Sequence, residues 1–139
     1  MKFVFDTDVM VAAMRSPSGA SAELLRMVRR REIEVAVSVA LVLEYEAVLK
    51  RPEHLLASGA SVAEVELTID ALIFFAQPVF VDYRWRPQTR DPADEMVLEA
   101  AINANADAII TFNRRDFGDA PLQFGIGCWL PSQALEKMR

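Results

Sequence analysis

Of the chain's 20 acidic residues, four stand where chemistry could be done: Asp6, Glu44, Asp94 and Asp116. Asp6 directly follows the apolar run Phe3-Val4-Phe5. Asp116 lies shortly after Thr111, in the loop expected to leave Ala108-Ile109-Ile110-Thr111. Asp94 falls in the first turn of the helix expected before that run, and Glu44 falls inside a helix. In open α/β sheets ligands bind beyond the carboxyl ends of the strands, near a topological switch point, so acids just after strands are the informative ones. A cluster of three or four carboxylates needs counter-charge, because like charges raise one another's pKa values. Hard divalent cations such as Mg²⁺ or Mn²⁺ supply it, binding through oxygen ligands and retained waters. Zinc has no matching set, since His54 and Cys128 are the only histidine and cysteine. His54, after Pro52 and Glu53, reads as a surface histidine.

Each acid also has a plainer reading. At about 3.6 residues per turn, Glu44 is flanked by Ala40, Leu41, Ala47 and Val48, a stripe expected to face the core. A buried acid is expensive unless it is paired or coordinates metal. An edge position whose carboxylate reaches water fits the same spacing. Glu46 points the other way, beside Lys50, as a solvated acid should. Asp6 can cap the helix after its strand, and Asp94 gains about 0.3–1 kcal/mol from the dipole of its own helix. Asp116 can be an ordinary loop residue. What these readings leave unexplained is why the acids gather where an α/β site is expected.

The elements that must position them alternate along the chain. Lys2 to Phe5 reads as a buried strand, Asp8 to Met14 as a short helix, and Ser16 to Gly19 as a turn. Ala20 to Arg31 is amphipathic, with Leu24, Leu25 and Val28 at helical spacing. Ile33 to Val37 is a second strand. Ser38 can cap a helix to Lys50, with Pro52 as its stop. Ser61 to Glu64 has the form of a capping box and opens a helix through Ala76. Pro78 to Val81 is a third strand, expected at the sheet edge. Asp91-Pro92 starts a helix to about Asn105. Ala108 to Thr111 is a fourth strand, Phe124 to Trp129 a fifth, and a last helix follows Pro131. Strands alternating with helices imply an α/β fold with a parallel sheet covered on both faces.

A length of 139 residues fits a single domain, 1–139, with enough chain for a sizeable core. A single cysteine permits no intrachain disulfide and points to a reducing, cytoplasmic setting. The apolar start is cut short by Asp6 and Asp8, unlike a signal peptide. The longest apolar region, Val35 to Leu49, is interrupted by Ser38, Glu44 and Glu46 and is short of a membrane span. The net charge of −5 argues at first against a nucleic-acid partner. Carboxylates that hold metal account for part of it, and the arginines are bunched at 29–31, at 84, 86 and 90, and at 114–115.

FVFDTDVMVAA, LVLEYEAVL and DPADEMVLEAAINANADAIITFNRRDF together resemble the PIN-domain family, and most closely its toxin branch, VapC-like in outline. The resemblance covers nearly the whole chain; its last stretch is the specific part. It implies a three-layer α/β/α sandwich around a parallel sheet, dependence on Mg²⁺ or Mn²⁺, and cleavage of single-stranded RNA. Asp6, Glu44, Asp94 and Asp116 match the family's four acids, and Thr111 and Asn113 its polar pair before the last acid. The family often has Asn two residues after the first acid, where this chain has Asp8. Asp82 and the segment Tyr83 to Arg90 match no family role. Asp91 reads as the helix cap that aims Asp94, and Asp107 should lie at the opposite end of the sheet.

The chemistry implied is phosphodiester hydrolysis by metal-activated water, with Thr111 or Asn113 orienting water or a phosphate oxygen. Tyr83, Trp85 and nearby arginines could grip single-stranded RNA, or form an exposed loop or a protein contact. Two other classes compete. Asp6-Thr7-Asp8 is similar to the paired acids of haloacid-dehalogenase-like phosphatases, but that class needs a lysine in the second half, and only Lys137 lies beyond Lys50. A PIN fold that has lost catalysis and only grips RNA or protein is the other. The helix around Leu67, Ile69, Leu72, Ile73, Phe74 and Phe75 is apolar over most of its circumference, which points to a homodimer. The resemblance adds an antitoxin protein as a partner.

Overall fold

In the computed structural model, residues 1–81 and 91–138 are described; Asp82, Tyr83, Trp85 and Arg84, Arg86 and Arg90 lie outside them. The chain opens with strand β1 (Lys2–Phe5), helix α1 (Thr7–Arg15), α2 (Ala20–Arg29) and β2 (Glu34–Val37). Then come α3 (Val39–Leu49), α4 (Pro52–Ser58), α5 (Val62–Phe75) and the short β3 (Gln77–Pro78). The second half holds α6 (Pro92–Ala104), β4 (Ala108–Ile110), α7 (Arg114–Phe117), α8 (Ala120–Gln123), β5 (Gly127–Trp129) and α9 (Pro131–Lys137).

Among the described residues the strands form one parallel sheet in the order β3-β2-β1-β4-β5. Phe3, Val4 and Phe5 are all fully buried, as are Ala108, Ile109 and Ile110. Successive strand residues point to opposite faces, so burial of consecutive residues means that both faces are covered. The architecture is the expected three-layer α/β/α sandwich, with α6 packed along β1, β2 and β4 and α5 against β2. The chain builds outward from β1 to β3 and then returns to β4 on β1's other side. The topological switch therefore lies between β1 and β4.

The helix starts follow local chemistry. Ser38 Oγ accepts from the Leu41 amide at 3.2 Å, Ser61 and Glu64 form a complete capping box, and Asp91 Oδ1 accepts from the Ala93 amide at 2.9 Å. Several expectations need correction. Pro52 does not merely stop a helix; it opens α4, because its fixed φ suits the first helical turn. The third strand is two residues, with Pro78 on the sheet edge where its missing N–H costs nothing. Phe124 ends α8 rather than starting β5. His54 is half-buried, its Nδ1 2.7 Å from Arg15 Nη2, and not a free surface residue.

Candidate active site

Asp6 and Thr111 follow β1 and β4 directly, on either side of the switch. The Asp6 amide continues the sheet by donating to the Ile110 carbonyl at 2.9 Å, and the Thr111 amide donates to Trp129 at 2.9 Å. The two side chains meet there: Thr111 Oγ donates to Asp6 Oδ2 at 2.7 Å, and Thr111 is fully buried. Asp6 also caps α1, its Oδ1 accepting from the Thr7 amide at 2.8 Å. The capping role and the site role are thus filled by different oxygens of one carboxylate. Beneath it, the wholly buried Tyr45 of α3 donates its hydroxyl proton to the Phe5 carbonyl and fixes the strand end.

Burial, more than any other cause, raises the Asp6 pKa; bonds from Thr111 and Thr7 work against it, and the charges of Asp116 and Asp91 add to it. Asp94, at the third position of α6, is also buried. It is pushed up to about 6 by burial and then by the charges of Asp6 and Asp116. Asp6, Asp94 and Asp116 therefore sit within one another's field. Asp116 was expected in a loop but belongs to the single turn of α7, at the surface. Four residues, Arg-Arg-Asp-Phe, are too short to show a helical period in sequence.

Glu44 stands apart. Its helix buries Leu41, Tyr45, Val48 and Leu49, whereas Ala40 and Ala47 are exposed. The buried stripe is rotated from the one expected, and Glu44 is half-buried at its edge. It is not among the charges that act most strongly on Asp6, Asp8 or Asp94. Asn113 does reach the site, with its Nδ2 donating to Asp8 Oδ2 at 3.1 Å. Asp107 lies at the opposite end of the sheet, where its Oδ2 accepts from the Lys2 amide at 2.8 Å. The arginine run 29–31 is far from the site as well. Arg30 pairs with Glu23 and Glu32, and Arg31 lines a surface hollow with Lys2 and Asp107.

Sequence reasoning left Asp8 without a role. Its carboxylate is pushed up to about 7, by burial first and by the neighbouring Asp6 charge second. One of its oxygens, Oδ1, is buried with no hydrogen-bond partner. Glu95 and Glu99 of α6 are buried too, which their helix pattern alone did not single out. Among the described residues, no group of three or more His, Cys, Asp or Glu side chains is placed to hold a metal ion unaided. Among the described residues, the donors at the site are carboxylate, hydroxyl and carboxamide oxygens. That set fits a hard cation held by one or two carboxylates and otherwise by water, not a protein cage.

A family model described as PIN domain matches residues 2–115. The chain belongs to the PIN-domain family. The match takes in Asp6, Glu44, Asp94, Thr111 and Asn113 and stops one residue short of Asp116. Among solved structures, this PIN-domain chain is similar to a chain in the crystal structure of VapBC2 from Rickettsia felis bound to a DNA fragment from their promoter. The TM-score is 0.62 at 13% identity, over 92% of this chain and 97% of that one. At that identity the likeness shows the fold. No curated protein matches the PIN-domain chain in sequence. Among the described residues no helix is long and apolar enough to cross a membrane.

Proposed function

We propose that this chain is a ribonuclease that hydrolyses phosphodiester bonds of single-stranded RNA with Mg²⁺ or Mn²⁺, and that it is the toxin of a toxin–antitoxin pair. Membership of the PIN-domain family supports the coarse reading, a PIN-type nuclease. The observation that carries the metal-dependent reading is the Thr111–Asp6 bond across the switch, with Asp116 close enough to raise the pKa of the buried Asp6, and both of these acids raising that of Asp94. Three carboxylates kept in mutual repulsion at a strand end are costly to the fold, and a bound cation offsets that cost.

Asp6 with Asp94 or Asp116 would hold the ion directly, and the remaining acid and Glu44, at the edge of α3, would act through its bound waters. A bound divalent ion supplies a nucleophilic water near neutral pH and neutralises charge developing on the phosphate. The protein does the rest. Thr7 and Thr111 fix both oxygens of Asp6, so its free lone pairs keep one direction. Arg114 and Arg115, exposed on α7 beside Asp116, offer positive charge to the RNA backbone. The PIN-domain match over residues 2–115 weighs against the haloacid-dehalogenase alternative.

Two surface features support protein partners. A groove of about 300 Å³ runs between α2 and α5, lined by Met14, Leu25, Val28, Leu67 and Leu72. Beside it Leu67 is 68% exposed and Phe74 is 74% exposed. Apolar surface of this kind marks interfaces, and a homodimer and an antitoxin are the partners we assign to it, in a cytoplasmic setting. The test of the enzymatic reading is cleavage of single-stranded RNA by the purified chain with Mn²⁺, with chelator, and with Asp6→Asn. Metal-dependent cleavage lost in the variant is expected. Equal cleavage by wild type and variant would trace the activity to another source. No cleavage, together with no saturable Mn²⁺ binding, would favour a retired binding module.

A further inference from the structure

Asp8 is the second residue of α1, and its carboxylate reaches beyond its own helix. Oδ2 reaches across to the segment after β4, accepting from the Phe112 amide at 3.1 Å and from Asn113 Nδ2 at 3.1 Å, with Thr111 Oγ 3.4 Å away. Oδ1 is buried and meets no donor. The segment that Asp8 holds is the one that leads to Asp116. Within it, the Asn113 amide donates to Thr111 Oγ at 2.9 Å, and the Asp116 amide donates to the Asn113 carbonyl at 3.0 Å. Thr111 in turn orients Asp6. Bonds thus run from Asp8 through one turn to both Asp6 and Asp116, the acids on either side of the switch.

We infer that Asp8 is a positioning residue: its Oδ2 fastens the Thr111–Asn113 turn to α1 and so sets Asp116 against Asp6. The inference rests on the site proposed above. What it requires of residue 8 is an acceptor oxygen at the place of Oδ2, not a negative charge. Phe112 is half exposed, and its amide would otherwise be left to water. Partners that orient metal ligands are worth about 10- to 100-fold in metal affinity when removed.

Asp8→Asn and Asp8→Ala remove the same charge, and only asparagine keeps the oxygen. Two readouts separate them: hydrogen exchange at the Phe112 amide, read by NMR without metal, and Mn²⁺ affinity by calorimetry. We expect D8N to keep Phe112 protected and to bind Mn²⁺ within about tenfold of wild type. In D8A we expect Phe112 to exchange about tenfold faster or more, and Mn²⁺ binding to fall about tenfold or more below D8N. Protection at Ile109 and Ile110 of β4 should be unchanged in both. Equal Mn²⁺ affinity in D8N and D8A, or a protected Phe112 in D8A, overturns the inference. If D8A does not fold, D8N decides alone, and loss of Phe112 protection there overturns it. If no form of the protein binds Mn²⁺, the function proposed above fails, while Phe112 exchange still decides whether the anchor exists.

Discussion

Asp8→Asn in the metal-free protein isolates the electrostatic cost of building this site. The wild-type carboxyl is pushed up to about 7 by burial and by Asp6, against about 3.9 in an unfolded chain. Between about pH 4 and pH 7 the folded state therefore holds a proton that the unfolded state has released. Where the folded state binds more protons, stability falls as pH rises, so the loss runs from about pH 4 and is complete just above pH 7. At about 1.36 kcal/mol for each pH unit, the ceiling on that loss is about 4 kcal/mol. Water reaches a half-buried carboxylate, and screening brings the expected loss to about 1–2 kcal/mol. Losing the negative charge from the first turn of α1 works the other way, by about 0.3–1 kcal/mol, and does not reverse the sign. Asparagine neither ionises nor changes shape. D8N should exceed wild type at pH 8, by roughly 2–5 °C in Tm for a domain of this size, and by clearly less at pH 5, where only about a third of the loss has accrued. Thermal unfolding followed by circular dichroism in chelator measures both points. A D8N that is no more stable than wild type at pH 8, or that gains as much at pH 5, would refute the reasoning.

Three further outcomes follow from the same geometry. Glu44→Gln should lower Mn²⁺ affinity and RNA cleavage about tenfold or more without lowering Tm, if Glu44 joins the ion from its edge position; unchanged cleavage would leave it a solvated residue. Asp107→Asn and Asp82→Asn should both leave cleavage intact. Asp107 is committed to the Lys2 amide at the far end of the sheet, and loss of activity in D82N to the degree of Asp6→Asn would show the site drawn too small. Sedimentation at micromolar concentration should give a dimer, and a sharp 15.5 kDa monomer that does not grow on concentration would exclude it.

Much of this was legible because local chemistry and the global fold agree. The buried runs at Lys2–Phe5 and Ala108–Ile110, the cap at Ser38, the capping box at Ser61 and the Asp91-Pro92 start each announce their element. The rule that sites lie beyond strand ends marked Asp6, whereas Thr111 entered only through the family resemblance. Glu44 was harder, because Ala40 and Ala47 are apolar in type but small enough to sit on either side of a helix. Counting them as core rotated the wheel and left a buried Glu44 and an edge Glu44 equally consistent with the spacing. The role of Asp8 was not legible at all, because every bond its Oδ2 makes is to a residue more than 100 positions away. The two arginines that precede Asp116 could be separated from the run at 29–31 only once the sheet gave the chain two ends.

The central claim is that Asp6, Asp94 and Asp116 converge to hold a divalent cation at the β1–β4 switch. A crystal soaked in Mn²⁺ and measured at a wavelength where manganese scatters anomalously tests it most directly. The account predicts an anomalous peak in contact with the Asp6 carboxylate, with Asp94 or Asp116 as a second protein ligand or one water away, and no such peak in Asp6→Asn. A Mn²⁺-saturated crystal with no peak at Asp6, or with its peaks only elsewhere on the surface, would contradict it.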